Sequence, residues 1–211
     1  MMVQSPDPGK LCDASNAILL VIDVQGKLAD MVREPDRLKG VVHRMLQLAG
    51  LFEVPVVLTE QYPRGLGPTV PELRAQFDAL ASEKHLLTKN AFGCCGEPAF
   101  NTLLEQVARR VRTRALSGRS ADTPRPVDLI VVGMETHVCV QQTVLELLGQ
   151  GYRVVVLADG VSGRSALAHD VALQRFRQCG AVISVYESVA FEWTRTKEHP
   201  SFKAMSAIIK Q

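Results

Sequence analysis

Apolar residues in this chain fall into short continuous runs, which alternate with longer segments of helical periodicity. The runs rich in β-branched residues, each bounded by turn residues, predict strands buried on both faces at 17–22, 54–58, 129–132, 153–157 and 181–185. A weaker run, His85-Leu86-Leu87-Thr88, is a further candidate strand. Apolar residues recur at helical spacing over 37–51, 99–111, 140–148 and 166–178. This alternation predicts an α/β fold of three layers, with a parallel sheet between two layers of helices.

Length and composition fit one globular domain over 1–211, in which 46% of residues are apolar and 22% are charged. Residues 1–14 carry no apolar run, and we expect them to be flexible. They resemble neither a secretory signal nor a transit peptide, and no apolar stretch approaches the roughly 18 residues of a membrane span. We therefore expect a cytoplasmic protein, with an association with mitochondria left open.

The five cysteines are odd in number and widely spread, which does not suit a disulfide framework. Cys94 and Cys95 are adjacent, and Cys12 and Cys179 lack the spacing of a zinc site. A reducing compartment is the better interpretation, and we expect neither a bound metal nor a cofactor.

The segment 109–126 is strongly basic within a chain whose net charge is only +2. Its single acidic residue is Asp122, and its arginines are Arg109, Arg110, Arg112, Arg114, Arg119 and Arg125. One interpretation is an arm that binds nucleic acid. The other is a solvated helix end followed by a surface insertion. The second is favoured, because the segment holds no aromatic residue that would stack on a base.

Three reactive side chains follow predicted strands. Cys139 comes after the strand 129–132 and Gly133, at the start of a helix, where unsatisfied amides and a nearby cation would lower the pKa of a thiol. Asp23 ends the first strand, and Lys89 ends the weak run. Because strand ends share one edge of a parallel sheet, the three side chains can converge there. Each also has an ordinary structural interpretation, namely a buried apolar cysteine, a helix-capping aspartate and a surface ion pair.

Several spaced motifs occur along the chain. They are, in order, Leu20-Val21-Ile22-Asp23-Val24-Gln25, Thr59-Glu60-Gln61-Tyr62-Pro63, Lys89-x-x-Phe92, Gly133-Met134-Glu135-Thr136-His137-Val138-Cys139-Val140-Gln141-Gln142-Thr143 and Ala158-Asp159-Gly160-Val161-Ser162. Together they resemble the isochorismatase-like cysteine hydrolase superfamily. The stretch 60–73 and the tail Lys197-Glu198-His199-Pro200-Ser201-Phe202-Lys203 are similar in particular to the isochorismatase domain-containing proteins of eukaryotes. The resemblance runs from about Ala17 to Lys210 with one insertion near 109–126.

The resemblance implies a Rossmann-like, six-stranded parallel sheet of order 3-2-1-4-5-6. It also implies a catalytic triad, with Cys139 as nucleophile, Asp23 as proton acceptor and Lys89 as cation. A cis peptide between Met134 and Glu135 would aim amides of the turn, which includes Val138, at an oxyanion. The expected substrate pocket contains Gln25, Gln61, Tyr62, Phe92, Thr136 and His137. His137 is expected as pocket wall or core rather than as the catalytic base, since neighbours in sequence on a helix do not face each other.

The implied function is hydrolysis of a small amide, carbamoyl or related C–N substrate through a thioester. Nicotinamidases of the superfamily carry an Asp-x-His metal motif, which the stretch 59–63 lacks. Two alternatives stay open, a nucleic-acid-associated protein or ribonuclease using the basic segment, and a non-catalytic thiol sensor. Apolar groups in 62–73 and 199–210, together with the resemblance, also predict a homo-oligomer.

Overall fold

The computed structural model describes residues 9–117 and 126–211. Its strands form one parallel sheet of order β3-β2-β1-β4-β5-β6, which confirms the predicted topology. The strands are β1 (Ala17–Ile22), β2 (Val56–Gln61), β3 (Lys84–Lys89), β4 (Asp128–Met134), β5 (Arg153–Ser162) and β6 (Val182–Ser184). Every residue of β1 is buried, because this strand lies between β2 and β4 with helices on both faces.

Two apolar clusters, one on each face of the sheet, complete the three layers. The helices are α1 (Pro35–Leu51), α2 (Pro63–Leu66), α3 (Pro71–Asp78), α4 (Pro98–Ser117), α5 (Gln141–Gly149), α6 (Ala166–Gln178), α7 (Tyr186–Thr194) and α8 (Phe202–Ile209). One cluster contains side chains of α1, α3, α7 and α8, and the other contains side chains of α4, α5 and α6. In the described residues, none of the helices is both long and apolar enough to cross a membrane.

A glycine at the end of β4 allows the two central strands to approach closely. Gly133 pairs with Ile22 in the sheet and has a φ of 122°. A Cβ at this position would lie 2.1 Å from the Ile22 carbonyl oxygen, so a larger residue would push the strands apart. Gly133 thereby sets the turn after β4 directly beside Asp23, the residue that follows β1.

The described part of the basic segment up to Ser117 is helical, since α4 continues to Ser117 and does not end at the predicted residue 111. Arg110 pairs with Glu83, and Arg114 donates to the carbonyl oxygens of Glu53, Ala14 and Ser15. This part of the segment is therefore an exposed helix end, as the favoured interpretation expected, although Arg110 and Arg114 bond to other parts of the chain. Arg119 and Arg125 lie outside the described residues.

Both ends of the described chain are attached to the body of the fold. The Cys12 amide donates to Glu192 Oε2 at 2.6 Å, so the expected flexibility of 1–14 is wrong for this part. Residues 1–8 lie outside the described residues. At the other end, Met205 of α8 is fully buried and Phe202 packs on the same core. The apolar face of the C-terminal helix is therefore covered within the chain.

Candidate active site

Asp23, Lys89 and Cys139 meet at the carboxyl edge of the sheet. Asp23 follows β1, Lys89 is the last residue of β3, and Cys139 lies in a π-helical turn (Thr136–Val140) that joins β4 to α5. All three side chains are buried. The topology thus brings together three residues that are far apart in sequence.

Asp23 is at the centre of this group. Its Oδ1 accepts a hydrogen bond of 2.7 Å from Thr59 Oγ1, and its Oδ2 lies 2.6 Å from Lys89 Nζ. The second contact is an ion pair without hydrogen-bond geometry, so Oδ2 keeps capacity to accept a proton. The carboxylate also lies close enough to the Cys139 thiol to raise the pKa of that thiol. Asp23 is therefore in position to exchange a proton with Cys139.

The Lys89 ammonium is surrounded by oxygen atoms. Besides Asp23 Oδ2, its Nζ donates to Gln61 Oε1 at 2.8 Å, to the Phe92 carbonyl at 2.7 Å and to the Ala91 carbonyl at 3.1 Å. The side chain is fully buried. Since an ammonium has three N–H donors, the surrounding acceptors already use all of them. Lys89 balances the charge of Asp23 and has no N–H group left for a substrate.

The thiol of Cys139 is protonated in the resting site. The pKa of Cys139 is raised to about 12, first by burial and then by the Asp23 carboxylate, whose effect on this pKa exceeds the opposite effect of the Lys89 ammonium. The prediction of a lowered pKa is therefore wrong. Burial outweighs the helix N-terminus, and the charge of Lys89 is already spent on Asp23. A thiol next to a carboxylate needs that carboxylate as a general base before it can attack.

A cavity of about 90 Å³ opens onto Asp23 and Cys139. Its walls are mostly apolar, and the residues lining it are Asp23, Leu28, Gln61, Leu66, Phe92, Met134, Glu135, Val138 and Cys139. The lining includes the residues predicted for the turn, and Gln61 and Phe92 from the predicted pocket. Leu28 and Leu66 were missed, because both lie in segments that the sequence pattern did not resolve.

Two other predicted pocket residues, Gln25 and Tyr62, lie near the site but outside the lining of the cavity. Gln25 is fully buried, and its amide group brackets the end of β2 by accepting from the Gln61 amide at 2.6 Å and donating to the Gln61 carbonyl at 3.1 Å. Tyr62 lines a neighbouring cavity of about 270 Å³. Neither residue lines the cavity at Cys139, so their assignment to that pocket is wrong.

The remaining predicted pocket residues face away from the cavity. Thr136 Oγ1 is hydrogen-bonded to His169 Nδ1 at 2.9 Å, which ties the turn to α6. His137 does not line the cavity either, and its Nδ1 is buried. Among the described residues that line the cavity, neither Thr136 nor His137 is present.

The turn before Cys139 has a cis peptide between Met134 and Glu135, at the position expected from the sequence. The Val138 amide donates to the Glu135 carbonyl at 2.9 Å and is therefore occupied within the turn. The prediction that this amide binds an oxyanion is wrong. The Glu135 carboxylate is nearly buried and accepts from the backbone amide of Arg164 at 3.2 Å and from its Nε at 3.0 Å.

Three residues to which the sequence analysis gave no role in the site connect the surroundings of Cys139 and Asp23. Thr143 Oγ1 donates to the Cys139 carbonyl at 2.7 Å and accepts from the Cys94 amide at 3.0 Å. The Cys94 thiol lies 4.0 Å from the Thr59 hydroxyl, which itself bonds Asp23. The spacing of Thr143, four residues after Cys139 on a helix, is a signal for such a bond. The contacts of Cys94 and Thr59 depend on the tertiary fold.

Comparison with known proteins agrees with this geometry. The model of the isochorismatase domain matches residues 17–188. Isochorismatase domain-containing protein 2A of Mus musculus is 37% identical over 196 residues, which cover 93% of this chain and 84% of the mouse protein. The chain therefore belongs to the isochorismatase-like hydrolase family, as the motifs predicted.

Solved structures give the same fold. The structure of MAR1 ribonuclease from Caenorhabditis elegans matches with a TM-score of 0.80 and 29% identity, covering 96% of this chain and 93% of that one. The YcaC gene product of Escherichia coli, described as an octameric hydrolase of unknown specificity, matches with a TM-score of 0.75 and 25% identity. That match covers 97% of this chain and 98% of the YcaC chain.

Proposed function

We propose that this protein is a cysteine-dependent hydrolase of small amides, carbamoyl compounds or related C–N substrates. The observation that carries the proposal is that a protonated thiol and a buried carboxylate line one small cavity, while a buried ammonium is paired with the carboxylate. A thiol beside a carboxylate suits a reaction in which the carboxylate first accepts the thiol proton and then passes it to the leaving group. The Lys89 ammonium balances the charge of the carboxylate. No step of this reaction needs a metal or a redox cofactor.

The first half of the reaction forms a thioester. Cys139 Sγ attacks the carbonyl carbon of the substrate while Asp23 accepts the thiol proton. The C–S bond forms, and the carbonyl π electrons move to the oxygen. When the tetrahedral intermediate collapses, the C–N bond breaks and the proton on Asp23 passes to the leaving nitrogen. Ammonia or an amine departs, and the acyl group stays on Cys139.

The second half releases the acid. Water takes the place of the departed amine, Asp23 removes a proton from it, and the resulting nucleophile attacks the thioester. Collapse of the second intermediate returns the proton to Cys139 Sγ and frees the carboxylic acid. Throughout, Lys89 stays in contact with Asp23 and limits the free-energy change of charging and discharging the carboxylate.

A panel of short primary amides and carbamates tests this proposal, with ammonia release as the readout. We expect turnover of at least one member by the wild-type protein and none by Cys139→Ala. An inactive panel with the wild-type protein, or equal turnover by both proteins, would count against the hydrolase and leave the thiol sensor as the better account.

RNA is a second substrate class that deserves a direct assay, because the C. elegans structure is named as a ribonuclease. In the described part of α4, however, the arginines have local partners. Arg109 pairs with Glu105, Arg110 with Glu83, and Arg112 contacts Tyr152. We therefore expect no cleavage of labelled RNA that depends on Cys139. Cleavage that is lost in Cys139→Ala would move the assignment to a nuclease.

A further inference from the structure

The charged groups around the cavity are arranged with the acids on the inside. Asp23 and Glu135 line the cavity, whereas their cationic partners Lys89 and Arg164 do not. Lys89 is fully buried and borders the neighbouring cavity at Tyr62, and more than half of the Arg164 side chain is exposed to solvent. A molecule in the cavity therefore meets the carboxylates before the cations.

A carboxylate on the substrate would find no ion-pair partner among the described residues that line the cavity. The Lys89 ammonium has oxygen acceptors for all of its N–H groups, and the Gln61 amide nitrogen already donates to the Asn90 carbonyl at 2.8 Å. The other walls are apolar, including Leu28 and Phe92. Burying an anion there without a partner would be strongly unfavourable.

The volume of the cavity narrows the class of possible substrates further. A cavity of about 90 Å³ is smaller than the roughly 150 Å³ that accommodates a benzene ring in a protein core. It is also well below the several hundred Å³ typical of sites for larger ligands. A short acyl chain fits this space, whereas a ring bearing several substituents does not.

We infer that the site selects short amides that are neutral or positively charged, and that it rejects substrates carrying a carboxylate. We assign this selectivity to the carboxylate of Glu135, a residue that lines the cavity. Its charge can be removed by mutation without altering Asp23 and Cys139, the proton-transfer pair. The amide substrate class rests on the proposed function, whereas the charge selectivity is a property of the cavity itself. It can be measured without turnover.

Alkylation of Cys139 by iodoacetamide and by iodoacetate measures the selectivity directly. The two reagents have nearly the same size and differ by one negative charge. In both cases a C–S bond forms at Cys139, the C–I bond breaks, iodide leaves and the thiol proton is lost to solvent. The rates of alkylation of Cys139 are measured by peptide mapping at about pH 9, where a small fraction of the thiol is ionised. The neutral thiol N-acetylcysteinamide serves as the reference for intrinsic reactivity.

We expect the preference for iodoacetamide over iodoacetate to be about ten-fold greater at Cys139 than at the reference thiol, the effect of one nearby carboxylate at partial burial. Equal preferences at the two thiols would overturn the inference. So would a failure of iodoacetamide to modify Cys139 at all, because small neutral groups would then have no access.

Two variants of one ion pair separate charge selectivity from a general loss of structure. Glu135→Gln keeps the size and an acceptor oxygen, and we expect it to lower the preference toward the reference value. Arg164→Gln breaks the same pair but leaves the carboxylate unbalanced, so the preference should stay the same or increase. A decrease in both variants would show that the pair acts only on structure and would contradict the inference.

The outcome for the proposed function is independent of this result. Selective alkylation together with an inactive amide panel would retain the charge selectivity and reject the hydrolase. Amide hydrolysis with equal alkylation preferences would do the reverse. With an active enzyme, pentanamide and succinamate, which are close in length, should differ in kcat/KM in the same direction as the two alkylating reagents.

Discussion

Asp23 and Lys89 form a buried ion pair that is better explained by chemistry than by stability. Removing two charges from water costs about as much as the pair regains, so buried pairs add little net stability. Breaking one is different, because the remaining charge has no partner. The Thr59 hydroxyl and the oxygens around Lys89 keep both groups in fixed positions.

Replacing only one member of this pair should therefore affect both activity and folding. Asp23→Asn removes the proton acceptor and places an amide group against the Lys89 ammonium, 2.6 Å from it in the present geometry. We expect turnover to fall by about 10² or more and the free energy of unfolding to fall by about 3–5 kcal/mol. Urea denaturation and ammonia release measure the two effects.

The double variant Asp23→Asn with Lys89→Met provides the control. It removes the uncompensated cation, so it should regain a large part of the stability while staying inactive. A double variant that is as unstable as the single one would show that the loss comes from packing. One that recovers activity would remove Asp23 from the mechanism.

For individual residues, the sequence predicted the positions of the three reactive groups but not their protonation states or hydrogen-bond partners. Asp23, Lys89 and Cys139 could be found because each follows a strand, and parallel strands share an edge. The raised pKa of Cys139 could not, since it depends on how much water the folded chain excludes. Two of the four oxygens around Lys89 Nζ are backbone carbonyls, which no side-chain pattern reveals.

Among the secondary-structure elements, α5 is held to the loop before α4 by one hydroxyl. Thr143 bridges the carbonyl of Cys139 and the amide of Cys94. Thr143→Val keeps the shape but leaves the buried Cys94 amide without this acceptor. We expect a loss of about 1–3 kcal/mol in the free energy of unfolding. Thermal denaturation of Thr143→Ser, which keeps the hydroxyl, should lie near the wild-type protein; an equal loss in both variants would contradict this role.

The elements themselves were predicted unevenly, for physical reasons. β1 has the predicted bounds because its run of buried residues is unbroken. Helix α4 is longer than its apolar pattern, since arginine favours helix on the exposed side of Arg109–Leu116. Helices α2 and α3 were missed because prolines at their first positions look like turn signals, although proline is well tolerated there.

For the whole molecule, we expect an assembly larger than one chain. Tyr62, Leu66 and Phe92 are exposed apolar side chains close to the mouth of the cavity, and the E. coli structure is described as octameric. Light scattering should give a mass that is a multiple of 23.1 kDa. A mass of one chain at micromolar concentration would contradict the expectation and would leave these side chains exposed to solvent.

Stability should decline in alkaline solution. Burial raises the pKa of Cys94 to about 11 and that of Cys139 to about 12, from an ordinary value of 9.0. Above pH 9 the unfolded chain loses these protons while the folded chain keeps them, so the free energy of unfolding falls as pH rises. It stops falling for each thiol once the folded pKa is passed.

Cys94→Ser isolates one of these contributions. Serine does not titrate in this range, so its urea denaturation curve should lose stability less steeply between pH 9 and 11. The difference in slope is about 1.4 kcal/mol per pH unit for one thiol. Parallel pH dependences in the two proteins would show that Cys94 is not protonated by burial.

Trapping the acyl group during turnover tests most directly whether Cys139 is the nucleophile. A short amide that the protein hydrolyses is mixed with it, the reaction is quenched with acid, and the peptides are mapped by mass spectrometry. We expect one acyl group on Cys139, released by hydroxylamine as expected for a thioester and absent from Cys139→Ala. An acyl group on another residue, or hydrolysis by Cys139→Ala at the wild-type rate, would contradict it.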